Sequence, residues 1–282
     1  MKKRAWIVAG AAAAALAVPF GWWQNNGLTV SRYEYRSPKV GAALDGATVV
    51  QISDLHNHRF GEGQGRLLAA VAELEPDLVV ITGDMVDCHR TDPAPALELV
   101  RGLVALAPVY YVTGNHEWVL SSQVRGELLT GLEEAGATVL EDRVTRVALG
   151  EGYLTLAGLS DGSLKGDALE RLAADFPRGE LTLLLAHEPQ HLERYAATGA
   201  DLVFSGHAHG GQVRLPLVGG LYAPGQGVLP ELTEGIHTAE GTTLVVSRGL
   251  GNSIFPLRLF NWPEVVAVTL RTEGGSDTGT AR

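Results

Sequence analysis

Short apolar, β-branched runs that each end in a polar turn recur along this chain, and this pattern restricts its fold more than any other feature. The runs lie at 48–52, 78–81, 109–112, 181–186 and 202–204. Stretches with helical spacing separate them. Strands that alternate with helices predict sheets whose faces are covered by helices. We therefore expect an α/β fold.

The second half of the chain continues with strands but offers few helices between them. The helical stretches are approximately 65–74, 95–106, 122–134, 165–174 and 188–196. Further strands are expected at 153–158, 242–246 and 265–270. A second sheet must then pack on the first. We predict a two-sheet β-sandwich flanked by helices in one domain at 47–271, followed by a disordered tail at 272–282.

The turns after five strands carry side chains that can bind metal ions. They hold Asp54 and His56, Asp84 and Asp87, Asn115 and His116, His187, and His207 and His209. In α/β folds, ligands bind outside the carboxyl ends of strands, where these turns lie. Each turn alone is weak evidence, because Asp and Asn commonly form turns and a single histidine usually belongs to the core. All five together supply enough ligands for two divalent ions.

The available ligands restrict the kind of metal. Cys88 is the only cysteine, so neither an intramolecular disulfide nor a cysteine-rich zinc site can form. Carboxylate, amide and imidazole ligands suit Mn²⁺, Fe²⁺ or Zn²⁺. Two such ions ~3.5 to 4 Å apart lower the pKa of a water between them, so that a bridging hydroxide forms, and hold a phosphate for in-line attack. The ligand set therefore suits phosphoester hydrolysis.

The same turns also resemble those of a known protein family. The motifs are Asp54-x-His56, Gly83-Asp84-x-x-Asp87, Gly114-Asn115-His116-Glu117, His187 and Gly206-His207-x-His209. Their types and order closely resemble the calcineurin-like metallophosphoesterase superfamily. The segments 206–216 and 247–252 resemble its membrane-linked bacterial branch of YaeI/YkuE-like phosphodiesterases.

This resemblance implies a role for each residue of the motifs. One ion is expected to be held by Asp54, His56 and His209, and the other by Asn115, His187 and His207. Asp84 is expected to bridge the two ions. His116 is not an expected ligand, but the general acid that protonates the leaving group, and Asp87 is expected to orient it.

The predicted function is that of a dimetal phosphohydrolase, most simply a phosphodiesterase. A lipid-linked pyrophosphate, such as a UDP-sugar lipid, is the alternative substrate. A non-catalytic, metal-dependent binding protein is an alternative from another class, which the complete set of motif residues disfavours. The formal net charge is −10, from 22 basic and 32 acidic residues. Such an acidic body repels a polyanion, so we expect no nucleic-acid partner.

The N-terminus combines a basic start with an apolar run. Lys2, Lys3 and Arg4 precede the uncharged segment 5–23, which at ~1.5 Å per residue can span roughly 30 Å of hydrocarbon. We predict a single-pass membrane anchor at 1–23, or else a cleaved secretory signal. Residues 24–46 are expected to be a tether or an opening edge strand. The positive N-terminus favours an extracytoplasmic catalytic domain.

Overall fold

Two six-stranded sheets form the centre of the protein in the computed structural model, which describes residues 15–273. The strands are β1 (Thr29–Ser37), β2 (Thr48–Ile52), β3 (Leu78–Ile81), β4 (Val109–Tyr111), β5 (Thr138–Val139), β6 (Arg143–Leu149), β7 (Gly152–Gly158), β8 (Thr182–Leu185), β9 (Leu202–Ser205), β10 (Arg214–Leu215), β11 (Gly219–Gly220), β12 (Tyr222–Ala223), β13 (Gly227–Val228), β14 (Gly235–Ala239), β15 (Thr242–Val246) and β16 (Glu264–Thr272). The helices are α1 (described from residue 15 to 26), α2 (Gly65–Ala72), α3 (Ala94–Leu103), α4 (Asn115–Trp118), α5 (Ser122–Glu134), α6 (Ala168–Ala174) and α7 (Leu192–Ala196).

Each sheet is mixed and has a parallel centre. The first has the order β1-β16-β2-β3-β4-β5, in which β2 to β5 run parallel and β16 is antiparallel to β2. The second has the order β14-β15-β9-β8-β7-β6, in which β15, β9, β8 and β7 run parallel. The polar turns after the parallel strands of one sheet consequently lie at the same edge.

The central strands are buried on both faces, which explains their continuous apolar runs. In β3, Leu78 and Val80 enter the core between the sheets, whereas Val79 and Ile81 pack under α2, α3 and α5. In the second sheet, Leu184 of β8 lies in the outer layer with residues of α6 and α7. The predicted two-sheet α/β sandwich flanked by helices is therefore confirmed.

The N-terminal region differs in part from its prediction. No helix within 15–273 is both long and apolar enough to cross a membrane, so the predicted transmembrane helix is not found there. Residues 1–14, which include much of the apolar run, lie outside the described part. Within 24–46, β1 pairs in parallel with β16 as an edge strand. The tail predicted at 272–282 lies outside the described residues from 274 onward.

Candidate metal and catalytic site

The polar turns after β2, β3, β4, β8 and β9 meet where the same ends of the two sheets adjoin. The backbone of these turns is left-handed at five of the predicted site residues. The predicted site residues with positive φ are Asp54, His56, Asp84, His207 and His209. Asp and His tolerate this region better than most residues. The turns after β2 and β3 are joined directly, because the N–H groups of Asp54 and His56 donate to the carbonyls of Gly83 and Asp84.

One group of side chains brings together Asp54, His56, Asp84 and His209, all of them buried. Nε2 of His56 lies 3.3 Å from Nε2 of His209 and 3.6 Å from Oδ2 of Asp84. Nε2 of His209 lies 3.7 Å from Oδ1 of Asp54. Gly206 permits this packing, because a Cβ there would lie 2.3 Å from Oδ2 of Asp54. These are the residues expected to share the first ion.

A second group contains Asp84, His187 and His207. Nε2 of His187 lies 3.2 Å from both Oδ2 of Asp84 and Nδ1 of His207. Oδ1 of Asn115 adjoins the same atoms, at 3.1 Å from Nε2 of His187 and 2.8 Å from Nδ1 of His207. The four residues expected around the second ion are thus neighbours in space.

Asp84 is the residue that the two groups share. Its Oδ2 faces His56 on one side and His187 on the other, while its Oδ1 accepts the backbone N–H of His116 at 2.8 Å. Burial alone would raise the pKa of Asp84, but the positive charge and hydrogen bond of His187 hold it well below its usual range. A charged carboxylate therefore lies between two sets of ring nitrogens.

The donor set fits divalent cations. Burial lowers the pKa of His56 and of His207 to about 3, and that of His209 well below its usual range, so these rings stay neutral. The facing nitrogens of each histidine pair can share at most one proton, which leaves lone pairs directed to the same place. Imidazole and carboxylate ligands of this kind suit Mn²⁺, Fe²⁺ or Zn²⁺.

His116 lies beside the first group, and its contacts differ from the prediction. Its Nδ1 accepts the backbone N–H of Cys88 at 3.1 Å, and its Nε2 lies 3.1 Å from Oγ of Ser253. The carboxylate of Asp87, expected to orient His116, instead accepts the N–H of His89 at 2.8 Å. That local turn competes with any contact to the ring. A carboxylate oxygen of Asp87 still lies within 4.8 Å of a His116 ring nitrogen.

Glu117 is a positioning residue that the sequence reasoning included only as part of a motif. Its fully buried carboxylate accepts the N–H groups of Asp84 at 2.8 Å and Gly114 at 2.9 Å on Oε2, and of Val86 at 3.1 Å on Oε1. Burial, together with the charge of Asp84, raises the pKa of Glu117 to about 7. Glu117 thereby ties the turn after β3 to the turn after β4.

A buried arginine organises the loop that brings Ser253 to the site. Arg258 is fully buried and donates to the carbonyls of Arg248 and Gly251, at 2.9 and 2.6 Å, and to Oδ1 of Asn252 at 3.1 Å. The N–H of Gly251 in turn donates to the carbonyl of Asp54 at 2.6 Å. Because this loop has no regular periodicity, no sequence pattern marks Ser253 or Arg258 as neighbours of the site.

Comparison with known proteins agrees with this geometry. The family model described as calcineurin-like phosphoesterase matches residues 47–211. The chain is 29% identical to the metallophosphoesterase YkuE of Bacillus subtilis (strain 168), over 87% of this chain and 86% of that protein. It is 30% identical to a metallophosphoesterase of Aquifex aeolicus (strain VF5), over 88% and 93%. It is also 30% identical to the phosphodiesterase YaeI of Escherichia coli (strain K12), over 79% and 81%. The chain therefore belongs to the calcineurin-like phosphoesterase family and is a phosphoester hydrolase.

Proposed function

We propose that this protein is a dimetal-dependent phosphodiesterase. The observation that carries the proposal is the position of Asp84, whose Oδ2 faces His56 at 3.6 Å and His187 at 3.2 Å. One carboxylate shared by two groups of nitrogen and oxygen ligands suits a pair of ions. The phosphodiesterase YaeI among the relatives supports a diester as the substrate.

Seven side chains would hold the two ions. The first ion would be held by Asp54, His56 and His209, the second by Asn115, His187 and His207, and both by Asp84. When bound, two divalent ions neutralise the phosphoryl oxygens and make water a stronger nucleophile. Nδ1 of His187 lies 2.6 Å from the carbonyl of Thr82, which fixes one proton on Nδ1, so that Nε2 would bind an ion once it gives up its own proton.

The chain itself supplies the proton for the leaving group. In the reaction, water adds to phosphorus and releases one proton to solvent, the P–O bond to the leaving alcohol breaks, and the leaving oxygen takes the Nε2 proton of His116, which solvent replaces before the next turnover. His116 must carry protons on both nitrogens to act as this acid. A carboxylate oxygen of Asp87 lies within 4.8 Å of a His116 ring nitrogen, and the N–H of Cys88 donates to Nδ1 of His116.

Removal and replacement of metal tests the proposal. Protein stripped with a strong chelator should not hydrolyse bis(4-nitrophenyl) phosphate, and Mn²⁺, Fe²⁺ or Zn²⁺ should restore activity. Asp84→Asn should lower both bound metal and turnover, whereas Asp175→Asn, at an exposed position outside the site, should change neither. Full activity of the stripped protein would refute the metal requirement, and cleavage of aryl monoesters only would refute the diester assignment.

We also propose that the protein acts at a membrane, with a lipid-linked pyrophosphate as the second candidate substrate. The support is the uncharged sequence 5–14 and the exposed aromatic residues Trp22 and Trp23 of α1, a residue type that favours the membrane interface. The end of α1 is fixed to the loop of Arg258, since Oδ1 of Asn25 accepts the N–H of Arg258 at 2.7 Å. An anchored α1 would keep the site near lipid head groups.

Protease accessibility tests this placement. Protease added to intact cells, or to spheroplasts if an outer membrane is present, should digest the catalytic domain if it is extracytoplasmic. Protection until the inner membrane is broken would place the domain inside. Hydrolysis of a UDP-sugar lipid in mixed micelles, compared with bis(4-nitrophenyl) phosphate, would separate the two candidate substrates.

A further inference from the structure

A cavity of about 330 Å³ adjoins the second group of metal-binding side chains. Its lining includes Asn115, Trp118, Asp161, Lys165, Glu188 and Arg194. Asn115 belongs to both the cavity and the site, because its Oδ1 lies 3.1 Å from His187 and 2.8 Å from His207. A group bound in the cavity would therefore lie beside a phosphate held at the site.

Asp161 enters the cavity from a sixth strand end, which the sequence analysis left without a function. It follows β7, and β7 runs parallel to β8, the strand that ends before His187. The preceding residue, Ser160, fixes the turn: its N–H donates to Oδ1 of Asp142 at 3.0 Å, and its hydroxyl lies 3.0 Å from that of Thr113. Asp161 thus lies at the same edge of the second sheet as the site histidines.

The wall around Asp161 is closely packed. Gly162 lies directly against the indole of Trp118, since a Cβ at Gly162 would fall 1.7 Å from Cε2 of that ring. The guanidinium of Arg125 also lies over this ring, 4.1 Å from its centroid. These contacts hold α4 against the 161–163 turn. The cavity is therefore formed without a bound ligand.

Asp161 has hydrogen-bonding capacity that the protein does not use. Its Oδ1 is enclosed without a partner, and its carboxylate accepts no hydrogen bond from any residue within 15–273. Burial raises its pKa to about 6, against the opposing charge of His187. Two other charged groups of the wall are engaged, because Glu188 accepts a hydrogen bond from Gln190 at 2.7 Å and Arg194 donates to the carbonyl of Leu164 at 2.7 Å, whereas the charge of Lys165 opposes the rise in the pKa of Asp161. Asp161 as a whole is half-buried, but an enclosed carboxylate oxygen without a donor is costly unless a ligand supplies one.

The direction of His116 places the ester group that is not cleaved on the side of this cavity. His116 points away from it, toward the other metal group: its ring centroid lies 4.5 Å from that of His56, and its Nε2 faces Ser253. The leaving oxygen must approach His116. The second ester group of a diester, which is not cleaved, then lies on the side of Asn115, one of the residues that line the cavity.

We propose that this cavity binds the retained alcohol of the phosphodiester, and that Asp161 selects alcohols with a hydrogen-bond donor, a hydroxyl or an ammonium group, near the phosphate. The proposal rests on the phosphodiesterase function. It makes Asp161 a specificity-determining residue that acts on the retained arm and not on the bond that breaks.

A series of 4-nitrophenyl phosphodiesters tests this selection, with propyl, 2-hydroxyethyl or 2-aminoethyl as the second ester and uncatalysed rates subtracted. A hydrogen bond to a charged group corresponds to about 10- to 100-fold in kcat/KM. We expect the wild type to prefer a donor-bearing arm by that factor, and Asp161→Ala to abolish the preference. Asp161→Asn, which keeps an acceptor, should retain preference for the hydroxyl and lose it for the ammonium arm. The matched control, Asp175→Asn, should behave as wild type.

Calorimetric titration of the metal-loaded protein with propylphosphonate, 2-hydroxyethylphosphonate and 2-aminoethylphosphonate gives a readout without turnover. The donor-bearing phosphonates should bind more tightly to the wild type but not to Asp161→Ala. Equal affinities and equal kcat/KM values across the arms would overturn the role of Asp161 and leave the phosphodiesterase function intact. Failure to release nitrophenolate from any diester would instead refute the phosphodiesterase function, and the phosphonate titration would then decide on the cavity alone.

Discussion

Replacement of Glu117 by Gln should weaken the hydrogen bonds that connect the metal-binding turn after β3 to the one after β4. The Glu117 carboxylate accepts two N–H groups on Oε2 and one on Oε1. A glutamine can turn its single oxygen toward Asp84 and Gly114, but its NH₂ group then faces the N–H of Val86, so two donors oppose each other. One buried N–H without an acceptor costs about 1 to 3 kcal/mol.

The change in net charge adds little to this cost. Because burial raises the pKa of Glu117 to about 7, the neutral form is already well populated near neutral pH in the metal-free protein. At about 2 to 4 °C per kcal/mol for a domain of this size, the melting temperature should fall by roughly 2 to 12 °C. Glu117→Leu would leave all three N–H groups unpaired, at roughly 3 to 9 kcal/mol, a cost comparable to the whole stability of many domains.

Thermal unfolding of the metal-free protein and hydrolysis of bis(4-nitrophenyl) phosphate measure the effect. Glu117→Gln should melt earlier and also lose turnover, since a displacement of about 1 Å at a catalytic group can cost 10²-fold. The control is Glu134→Gln at the exposed end of α5, which should melt and turn over like wild type. If Glu117→Gln kept both the melting temperature and the turnover of wild type, Glu117 would not join the two turns.

Three further changes address catalysis, burial and packing. His116→Asn should lower kcat by roughly 10²- to 10⁴-fold for alkyl leaving groups, and less for nitrophenol, with metal content unchanged; loss of metal as complete as in Asp84→Asn would contradict this role. The folded-state pKa of Asp161 is raised from 3.8 to about 6, so its contribution to stability is full below pH 3.8 and is lost as the pH rises through 6. Asp161→Asn should accordingly be more stable than wild type by about 3 kcal/mol at pH 7.5 and equal near pH 3.5 in chemical denaturation. Gly206→Ala, whose Cβ would lie 1.9 Å from a neighbouring hydroxyl oxygen, should fold poorly, whereas Gly126→Ala, with nothing within 4 Å, should match or exceed the wild-type melting temperature.

Residues close in sequence to a strand end were predictable, because a parallel strand delivers its following turn to a known edge of the sheet. This logic was enough to bring Asp54, Asp84 and His207 together from three separate strands. It missed Asp161, although β7 itself was predicted, since one Asp after a strand is commonly a turn former.

Contacts that depend on irregular backbone could not be predicted from the sequence pattern. Ser253 contacts His116 from a loop that Arg258 holds in place by hydrogen bonds to the carbonyls of Arg248 and Gly251. The expected pairing of Asp87 with His116 stays a prediction, because Oδ1 of Asp87 accepts the N–H of His89 in this structure while a carboxylate oxygen of Asp87 lies within 4.8 Å of a His116 ring nitrogen. Periodicity and motif spacing do not determine which of several nearby donors a carboxylate will accept.

The left-handed backbone of the metal-binding turns also limits which residue types can replace the site residues during evolution. At Asp54, His56, Asp84, His207 and His209, φ lies between 45° and 65°, a region that costs most L-residues about 1 to 2 kcal/mol and suits Gly, Asn, Asp and His best. A lineage that exchanges one metal for another must therefore move among these few residue types. Branched residues such as Val or Ile are disfavoured there because they destabilise the folded backbone, whatever their effect on metal affinity.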